Sequence, residues 1–473
     1  MAQPAPIASS AEPDPIPGMD HHPPALYLLF ATEMWERFGF YTIAAVMTLY
    51  LQDKVQGFGW TRDQATNLWS YYLMFVYLTP LVGGFLADRV LGYRRSIVIG
   101  GMVLMTGYFF LAMGIQAAFY AALVLLFVGN GFFKPNISTI VGNFYPSGSP
   151  LRDSAYNIFY MGINIGAFLG PVSAEVLRQK FGFRASFLAA GLGMSLATAI
   201  FTLFYRYLAK GEHHRVPEDA QAIEVAEDVM PAAENRAASR AAVDMVPEGK
   251  RVAALVTIFA IVIVFWMVFH QNGSTMTYWA NDNTDWKASQ VTPVLIQIFT
   301  LNLIDGSDVS GVISNAINPF WIIVLSMPLV LFWRWLGTKG LEPSTPAKMA
   351  LGMLLTAGAF LILALGGLMG GDQGKVSPWW IIGAYFVISL GELMLSPMGL
   401  SLVSQVAPPR IRGLMMGGWF VATAVGSKLT VIGMLWDKWT HSAFWFLLAM
   451  FALVMAAVLL VLLKPLKRAM PGV

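Results

Sequence analysis

The chain has 473 residues, of which 56% are hydrophobic and 12% charged, and its mean hydropathy is +0.60. A soluble domain carries about 25% charged residues, so this composition predicts a polytopic membrane protein. The net charge of +3 is too small to favour nucleic-acid binding, and the absence of cysteine excludes disulfides, thiol catalysis and cysteine-ligated metals.

The N-terminal residues 1–24 are rich in proline and alanine and lack the basic start of a signal peptide. We expect them to form a disordered cytoplasmic tail. The apolar segment that follows, residues 25–51, is long enough to cross a bilayer. It is therefore predicted to be the first membrane helix.

Further apolar segments predict an all-α integral membrane protein with twelve transmembrane helices in two six-helix bundles. The N-terminal bundle covers residues 25–209, with later spans at about 64–87, 96–115, 117–143, 153–177 and 184–208. The C-terminal bundle covers residues 251–464, with spans at about 252–280, 315–336, 348–370, 378–406, 411–435 and 440–463. Residues 210–250 are too polar to span a membrane and predict a cytoplasmic linker between the bundles.

The basic residues predict the orientation of the chain. They concentrate in the loops on the same side as the linker, which predicts that both termini lie in the cytoplasm. We expect the chain to lie in the inner membrane of the cell. Residues 465–473 then form a cytoplasmic tail, and residues 281–314 form the longest periplasmic loop. A weak repeat between residues 80–95 and 328–340 supports two parallel halves of the major facilitator fold, with a cavity between them.

The first span carries three charged residues near its middle, Glu33, Glu36 and Arg37. Offsets of three and four residues place them on one face of a helix, with Tyr41 one turn further. A charge at the centre of a bilayer costs about 2.5–3.5 kcal/mol, so these groups must pair and face a polar interior. They form either a structural ion pair or a site for protons or substrate.

Four more polar residues fall within the predicted spans: Lys134, His270, Glu392 and Lys428. Lys134 and Glu392 lie beside proline and glycine, which favour a moving helix and therefore a functional role. Lys428 is interpreted as a structural partner or a charge on the cavity wall. His270 is either a proton carrier or a hydrogen-bonded group that packs two helices.

Several motifs occur in the order found in one transporter family. Residues 33–38, EMWERF, resemble the first-helix motif of the proton-dependent oligopeptide transporter family of the major facilitator superfamily. GGFLADRVLG at 83–92 and FYMGINIGAFLGP at 159–171 are similar to its loop and fifth-helix signatures. The motifs GFFKPN, QNG, NPF, GELMLSP and GGWF also fall in matching order, so the resemblance spans all twelve predicted helices.

The resemblance implies proton-coupled symport of di- and tripeptides by alternating access, without enzyme activity, cofactor or metal, in a monomer whose partners are peptides, protons and membrane lipids. It assigns proton coupling to Glu33, Glu36, Arg37 and Lys134. It assigns substrate binding to Tyr41, Tyr72, Lys134, Asn164, Trp266, Asn318, Glu392 and Trp419. Glu392 is the expected partner of the peptide's amino group.

Three positions depart from the family's usual pattern. Phe40 stands in place of a second tyrosine, Ala44 in place of an arginine, and His270 in place of an acidic residue. Two alternatives remain: a carrier of nitrate, another small anion or a drug-like amphiphile within the same family, and a peptide sensor that does not transport. An anion carrier has less need for Glu392, and a sensor usually has a folded output domain.

Overall fold

The computed structural model describes residues 21–145, 150–212 and 243–471. The regular secondary structure within them consists of helices and one isolated bridge between Thr284 and Val376. The first half contains α1 Pro24–Gln52, α2 Arg62–Leu86, α3 Tyr93–Ala112, α4 Gln116–Asn143, α5 Pro150–Phe181 and α6 Phe183–Leu203. The second half contains α7 Glu248–Phe269, α8 Thr275–Asp282, α9 Val291–Phe299, α10 Ile317–Thr338, α11 Thr345–Met369, α12 Trp379–Val406, α13 Arg412–Leu429 and α14 His441–Ala469. The prediction of an all-α chain is confirmed.

Twelve of these helices correspond to the predicted spans. The short helix α8 continues the span predicted at 252–280 after a turn, and α9 is a short addition in the second half. Among the described residues, ten helical segments are long and apolar enough to cross a membrane. The other two are α1 and α5, which have 29 and 32 residues and are less apolar because they carry charged side chains. At 1.5 Å per residue both exceed the roughly 30 Å of the hydrocarbon core.

Each half has its own apolar core. In the first half α1 packs against α5 and α6, and α4 packs against α2 and α3. In the second half α11 packs against α12 and α14, and α7 packs against α13 and α14. One buried cluster belongs to each half, with Val172 and Val312 the buried members contributed from the opposite half. The halves meet through α2 with α13 and α5 with α10.

Close helix contacts in the first half depend on glycine. A Cβ atom on Gly83 of α2 would lie 1.9 Å from the carbonyl oxygen of Gly131 on α4. One on Gly166 of α5 would lie 2.2 Å from the carbonyl oxygen of Met34 on α1. Only glycine permits these approaches, which is the usual role of small residues between membrane helices. The second contact holds α5 against the charged stretch of α1.

Two predicted spans of the second half are interrupted helices. The span predicted at 252–280 is α7, then a 3-10 turn His270–Gly273, then α8. The ring of Trp69 on α2 packs closely against this turn, since a Cβ on Gly273 would lie 2.1 Å from it. The span predicted at 411–435 is α13 followed by a 3-10 segment, Thr430–Leu435. Continuous apolar runs do not reveal such interruptions, since the residues on either side remain membrane-compatible.

The segments outside the spans differ in part from the predictions. The loop 281–314 contains α9 and the start of a 3-10 segment, Gly311–Ala316. The helix α14 continues to Ala469, past the predicted end at 464, because Lys467 and Arg468 complement the negative end of the helix dipole. Residues 1–20 of the predicted tail 1–24 and residues 213–242 of the predicted linker lie outside the described residues.

Contacts between the halves are concentrated at the end that carries residues 53–61, 281–314 and 436–440, which we call the outer end and which is the predicted periplasmic side. Arg62 at the start of α2 forms ion pairs with Asp282 at 2.7 Å and with Asp437 at 2.9 Å. Deeper along α2, the hydroxyl groups of Thr66 and Tyr278 are 3.1 Å apart. These contacts close the outer end of the bundle.

Candidate functional site

A cavity of about 200 Å³ lies between the two halves. This is smaller than most small-molecule pockets, which span roughly 300–1,000 Å³, so it suits a small solute and not a folded polymer. Ten of the residues singled out from the sequence line it: Glu33, Arg37, Tyr41, Lys134, Asn164, Trp266, His270, Asn318, Glu392 and Trp419. Both halves therefore contribute polar and aromatic groups to one space.

The charged residues of α1 form a buried ion cluster. The Nε of Arg37 lies 3.2 Å from Glu33 Oε1 and donates a hydrogen bond to Glu36 Oε2. The side chains of all three are at most 6% exposed. Since removing one partner of a buried ion pair leaves an uncompensated charge, each member of this cluster depends on the others. A change in the charge of either carboxylate must therefore alter the electrostatic attraction that the cluster exerts on the Arg37 guanidinium.

Two buried donors at the cavity have no hydrogen-bond partner among the described residues. They are Nη2 of Arg37 and the indole Nε1 of Trp266, from opposite halves. Buried polar groups are normally satisfied, so unpartnered donors beside a cavity indicate where a ligand's acceptor atoms can bind. For Arg37 the natural acceptor is a carboxylate, since its guanidinium suits that group.

Lys134 on α4 contributes a positive charge that is not committed to an acid. Its Nζ lies 5.2 Å from the centre of the Tyr77 ring, a cation–π contact. No ion pair of Lys134 occurs within the part of the chain that the structure describes. The lysine is therefore available to a substrate carboxylate or to a carboxylate of α1 after a small movement.

The second half supplies the opposite charge. Glu392 on α12 accepts a hydrogen bond of 2.9 Å from the amide of Asn318, which also donates to Ser389 Oγ at 2.9 Å. These bonds fix the side chain of Asn318 and orient the carboxylate that it contacts. With Arg37 and Lys134 on one side of the cavity and Glu392 on the other, the site is complementary to a small dipolar molecule.

His270, in the turn after α7, lies within hydrogen-bond distance of side chains from both halves. Its Nδ1 lies 3.0 Å from Ser427 Oγ on α13, and its Nε2 lies 3.4 Å from the hydroxyl of Tyr77 on α2. Ser427 donates its own proton to the carbonyl of Thr423, so Ser427 can accept from Nδ1. This assignment leaves Nε2 as an acceptor facing Tyr77 and the cavity. The arrangement fits helix packing and also a proton-accepting group.

Three residues singled out from the sequence do not line the cavity. Glu36 is behind Arg37, and Tyr72 is buried between Trp69 and Phe40, whose ring centres lie 5.7 and 6.3 Å away. Lys428 instead joins α13 to α2, with its Nζ 3.2 Å from Asn67 Oδ1 and 2.9 Å from Ser70 Oγ. It matches the structural interpretation and not the cavity-wall one.

Sequence reasoning missed several cavity residues. Those on helices already implicated are Trp69, Tyr77, Tyr160 and Thr423, and the others include Asn272 and Asn315. On α2 the cavity face contains Trp69, Leu73, Val76 and Tyr77, which recur at helical spacing. Spacing from Trp69 does not by itself separate Tyr77 from Tyr72, since Tyr72 also lies one helical turn from Trp69. Asn315 gave no such signal because it precedes its helix.

No group of three or more potential metal ligands occurs within residues 21–145, 150–212 and 243–471. The site instead offers separated positive and negative charges, aromatic walls and a buried ion cluster.

Comparison with known proteins agrees with this architecture. The family model described as Major Facilitator Superfamily matches residues 29–427. The uncharacterized transporter YclF of Bacillus subtilis (strain 168) is 30% identical, with 97% of each chain covered. Dipeptide and tripeptide permease B of Xenorhabdus bovienii (strain SS-2004) is 31% identical over 87% of this chain and 86% of the relative. Dipeptide and tripeptide permease A of Escherichia coli (strain K12) is 30% identical over 85% and 82%, respectively.

Solved structures give the same result. A peptide transporter POT in complex with sulfate superposes with a TM-score of 0.79 at 28% identity, covering 96% of this chain and 97% of the other. A variant of a peptide transporter POT in complex with alafosfalin gives a TM-score of 0.79 at 29% identity, with the same coverage. The chain belongs to the major facilitator superfamily and, within it, to the proton-dependent oligopeptide transporter family.

Proposed function

We propose that this protein imports di- and tripeptides by symport with protons, through alternating access of the central cavity. The observation that carries the proposal is the division of charge across that cavity, with Arg37 and Lys134 in one half and Glu392 in the other. A short peptide has a carboxylate and an ammonium group at fixed ends, and these charges can hold both. The aromatic walls formed by Trp266 and Trp419 suit side chains that vary.

The ion cluster of α1 supplies a route for coupling. When Glu33 and Glu36 are ionised they both attract Arg37, which leaves that arginine less available to a substrate. Protonation of one acid weakens this attraction. The whole guanidinium of Arg37, and not the unpartnered Nη2 alone, can then bind the peptide's carboxylate. Proton and peptide each favour binding of the other, as thermodynamic reciprocity requires.

The remaining assignments follow from the same proposal. Tyr41 and Asn164 contact the peptide backbone, and Tyr72 acts by supporting the cavity wall from behind. Lys134 serves the peptide carboxylate and the acids of α1 in turn, and His270 contributes an acceptor near the substrate. The protein acts as a monomer in the bacterial inner membrane, surrounded by lipid, with both termini in the cytoplasm and with the proton gradient in place of a cofactor.

The test is uptake of a labelled dipeptide into liposomes that contain the purified protein. A pH gradient, acid outside, should drive accumulation above the external concentration, and a proton ionophore should abolish it. Tripeptides should compete, whereas free amino acids and longer peptides should compete poorly. Transport of nitrate or an amphiphile without dipeptide uptake would show that the substrate is not a peptide. Peptide binding without any uptake would favour a sensor.

A further inference from the structure

A buried carboxylate on α5, Glu175, lies outside the cavity and is not needed to bind substrate there. Its side chain is 0% exposed, yet it accepts five hydrogen bonds. Three come from its own helix: Arg178 Nε at 3.0 Å, Arg178 Nη2 at 2.9 Å and Gln179 Nε2 at 3.0 Å. This degree of satisfaction is what a buried carboxylate requires.

The other two bonds come from the opposite half of the molecule. The backbone N–H of Ser310 donates to Glu175 Oε1 at 2.8 Å, and the hydroxyl of Ser310 donates to Oε2 at 2.6 Å. Ser310 also caps the 3-10 segment Gly311–Ala316, since its Oγ accepts from the N–H of Val312 at 3.2 Å. Glu175 therefore binds the first residue of a structured segment and not a freely moving loop.

That segment leads directly to the substrate side of the second half. Asn315 lies within it, and Asn318 follows on the first turn of α10, where it orients Glu392. A second contact reinforces the attachment, because Gln179 also donates to the carbonyl of Asp308. The Glu175–Ser310 pair thus ties the outer end of α5 to the start of the helix that carries the proposed amine site.

The exposure of the interactions at the outer end indicates which of them matters most. The ion pairs of Arg62 with Asp282 and Asp437 have side chains that are 27–50% exposed, so water and salt screen them. Glu175 is fully buried, and loss of Ser310 would remove two of the five hydrogen bonds that satisfy its carboxylate where water cannot replace them. Glu175 and Ser310 therefore contribute more to closure of the outer end than the exposed pairs do.

We infer that Glu175 is a positioning residue that holds the outer end closed through Ser310, and that this pair must separate each time the cavity opens outward. The inference rests on the alternating access in the proposed function. The carboxylate is required because an amide offers a single acceptor oxygen and cannot serve Arg178 and both donors of Ser310. Loss of the pair should shift the population of molecules toward the outward-open state.

The chain contains no cysteine, so a single introduced cysteine reports access to the cavity without background. Ala167 on α5 lines the cavity and is a suitable site for the reporter Ala167→Cys. A membrane-impermeant maleimide is added to intact spheroplasts and, separately, to inverted vesicles. The rate of labelling is compared in the reporter background alone and with Glu175→Gln, Ser310→Ala or Asp305→Asn.

Asp305→Asn is the matched control, since Asp305 is an exposed carboxylate of the same loop whose recorded hydrogen bonds are with Ser307. We expect Glu175→Gln to raise labelling from outside several-fold and to lower it from inside. Ser310→Ala should have a smaller effect in the same direction, because the backbone N–H remains. Asp305→Asn should match the parent.

Unchanged outside labelling in both Glu175→Gln and Ser310→Ala would overturn the inference. An equal rise in labelling from both sides would also overturn it, because that result indicates a loosened fold. If Glu175→Gln does not fold, the result for Ser310→Ala decides between these outcomes. Labelling needs neither substrate nor proton gradient. A shift in labelling by a protein that fails to take up peptides would therefore reject the proposed substrate while supporting the role of Glu175.

Discussion

At the scale of single residues, Arg37 has two different surroundings on one side chain. Its Nε contacts the carboxylates of Glu33 and Glu36, whereas its Nη2 has no partner among the described residues. A guanidinium divided in this way can respond to protons on one side and to a substrate on the other. The sequence predicted the cluster, because three charges on one helix face in a membrane must pair, but it did not predict which nitrogen remains available.

Replacing Glu33 or Glu36 with Gln should abolish peptide accumulation driven by a pH gradient and preserve peptide exchange across a membrane without one. Glutamine imitates the neutral, protonated acid and cannot return to the charged form. Both activities are measured in proteoliposomes with the same labelled dipeptide. Equal loss of accumulation and exchange would instead assign the acids a structural role.

Glu392→Gln should weaken binding of ordinary dipeptides roughly tenfold to a hundredfold, since a hydrogen bond to a charged group contributes about 1.5–3 kcal/mol. Peptides with a blocked amino group should bind the variant and the parent alike, because they carry no ammonium for the carboxylate. Binding is measured by competition with a labelled peptide. An equal loss for blocked and free peptides would remove Glu392 from the amine site.

Lys134→Ala should weaken peptide binding and also flatten its dependence on pH. The lysine has no ion pair among the described residues, so it can serve a substrate carboxylate and the acids of α1 in turn. Adding Ala44→Arg, which restores a base at the cavity wall, should recover affinity more than pH dependence. Peptide affinity is measured at several pH values in all three proteins. An unchanged pH profile in Lys134→Ala would leave coupling to the α1 cluster alone.

At the scale of elements, the long spans followed from the sequence and their interruptions did not. Length and hydropathy located each of the twelve membrane helices. They could not locate the turn His270–Gly273, where the ring of Trp69, distant in sequence, packs against the backbone at Gly273. The buried role of Glu175 was missed for a similar reason, since its partner Ser310 is 135 residues away in the chain.

The cavity face of α2 yields a prediction with an internal control. Tyr77 lines the cavity, whereas Tyr72 is buried between two aromatic rings. Tyr77→Phe should weaken peptide binding by roughly 0.5–1.5 kcal/mol, the usual contribution of one hydrogen bond, and Tyr72→Phe should leave it unchanged. Competition binding measures both. A larger effect for Tyr72→Phe would mean that the substrate extends past the cavity face of α2 and reaches Tyr72.

At the scale of the whole molecule, the orientation in the membrane can be tested with two exposed leucines. Leu301 lies in the outer loop and Leu341 in the loop after α10, and they are 78% and 65% exposed. In the cysteine-free chain, Leu301→Cys should react with an impermeant maleimide in intact spheroplasts, and Leu341→Cys only in inverted vesicles. The reverse pattern would place both termini outside and overturn the prediction from basic residues.

The separation of the apolar core into two clusters bears on biosynthesis. Since each half buries its own large side chains, the first half can complete its packing while the ribosome is still producing the second. The surfaces of α2 and α5 that face α13, α10 and the 3-10 segments of the second half must then wait for that half. Two separately expressed fragments, ending at residue 212 and beginning at residue 243, should accordingly find each other in the membrane and regain transport.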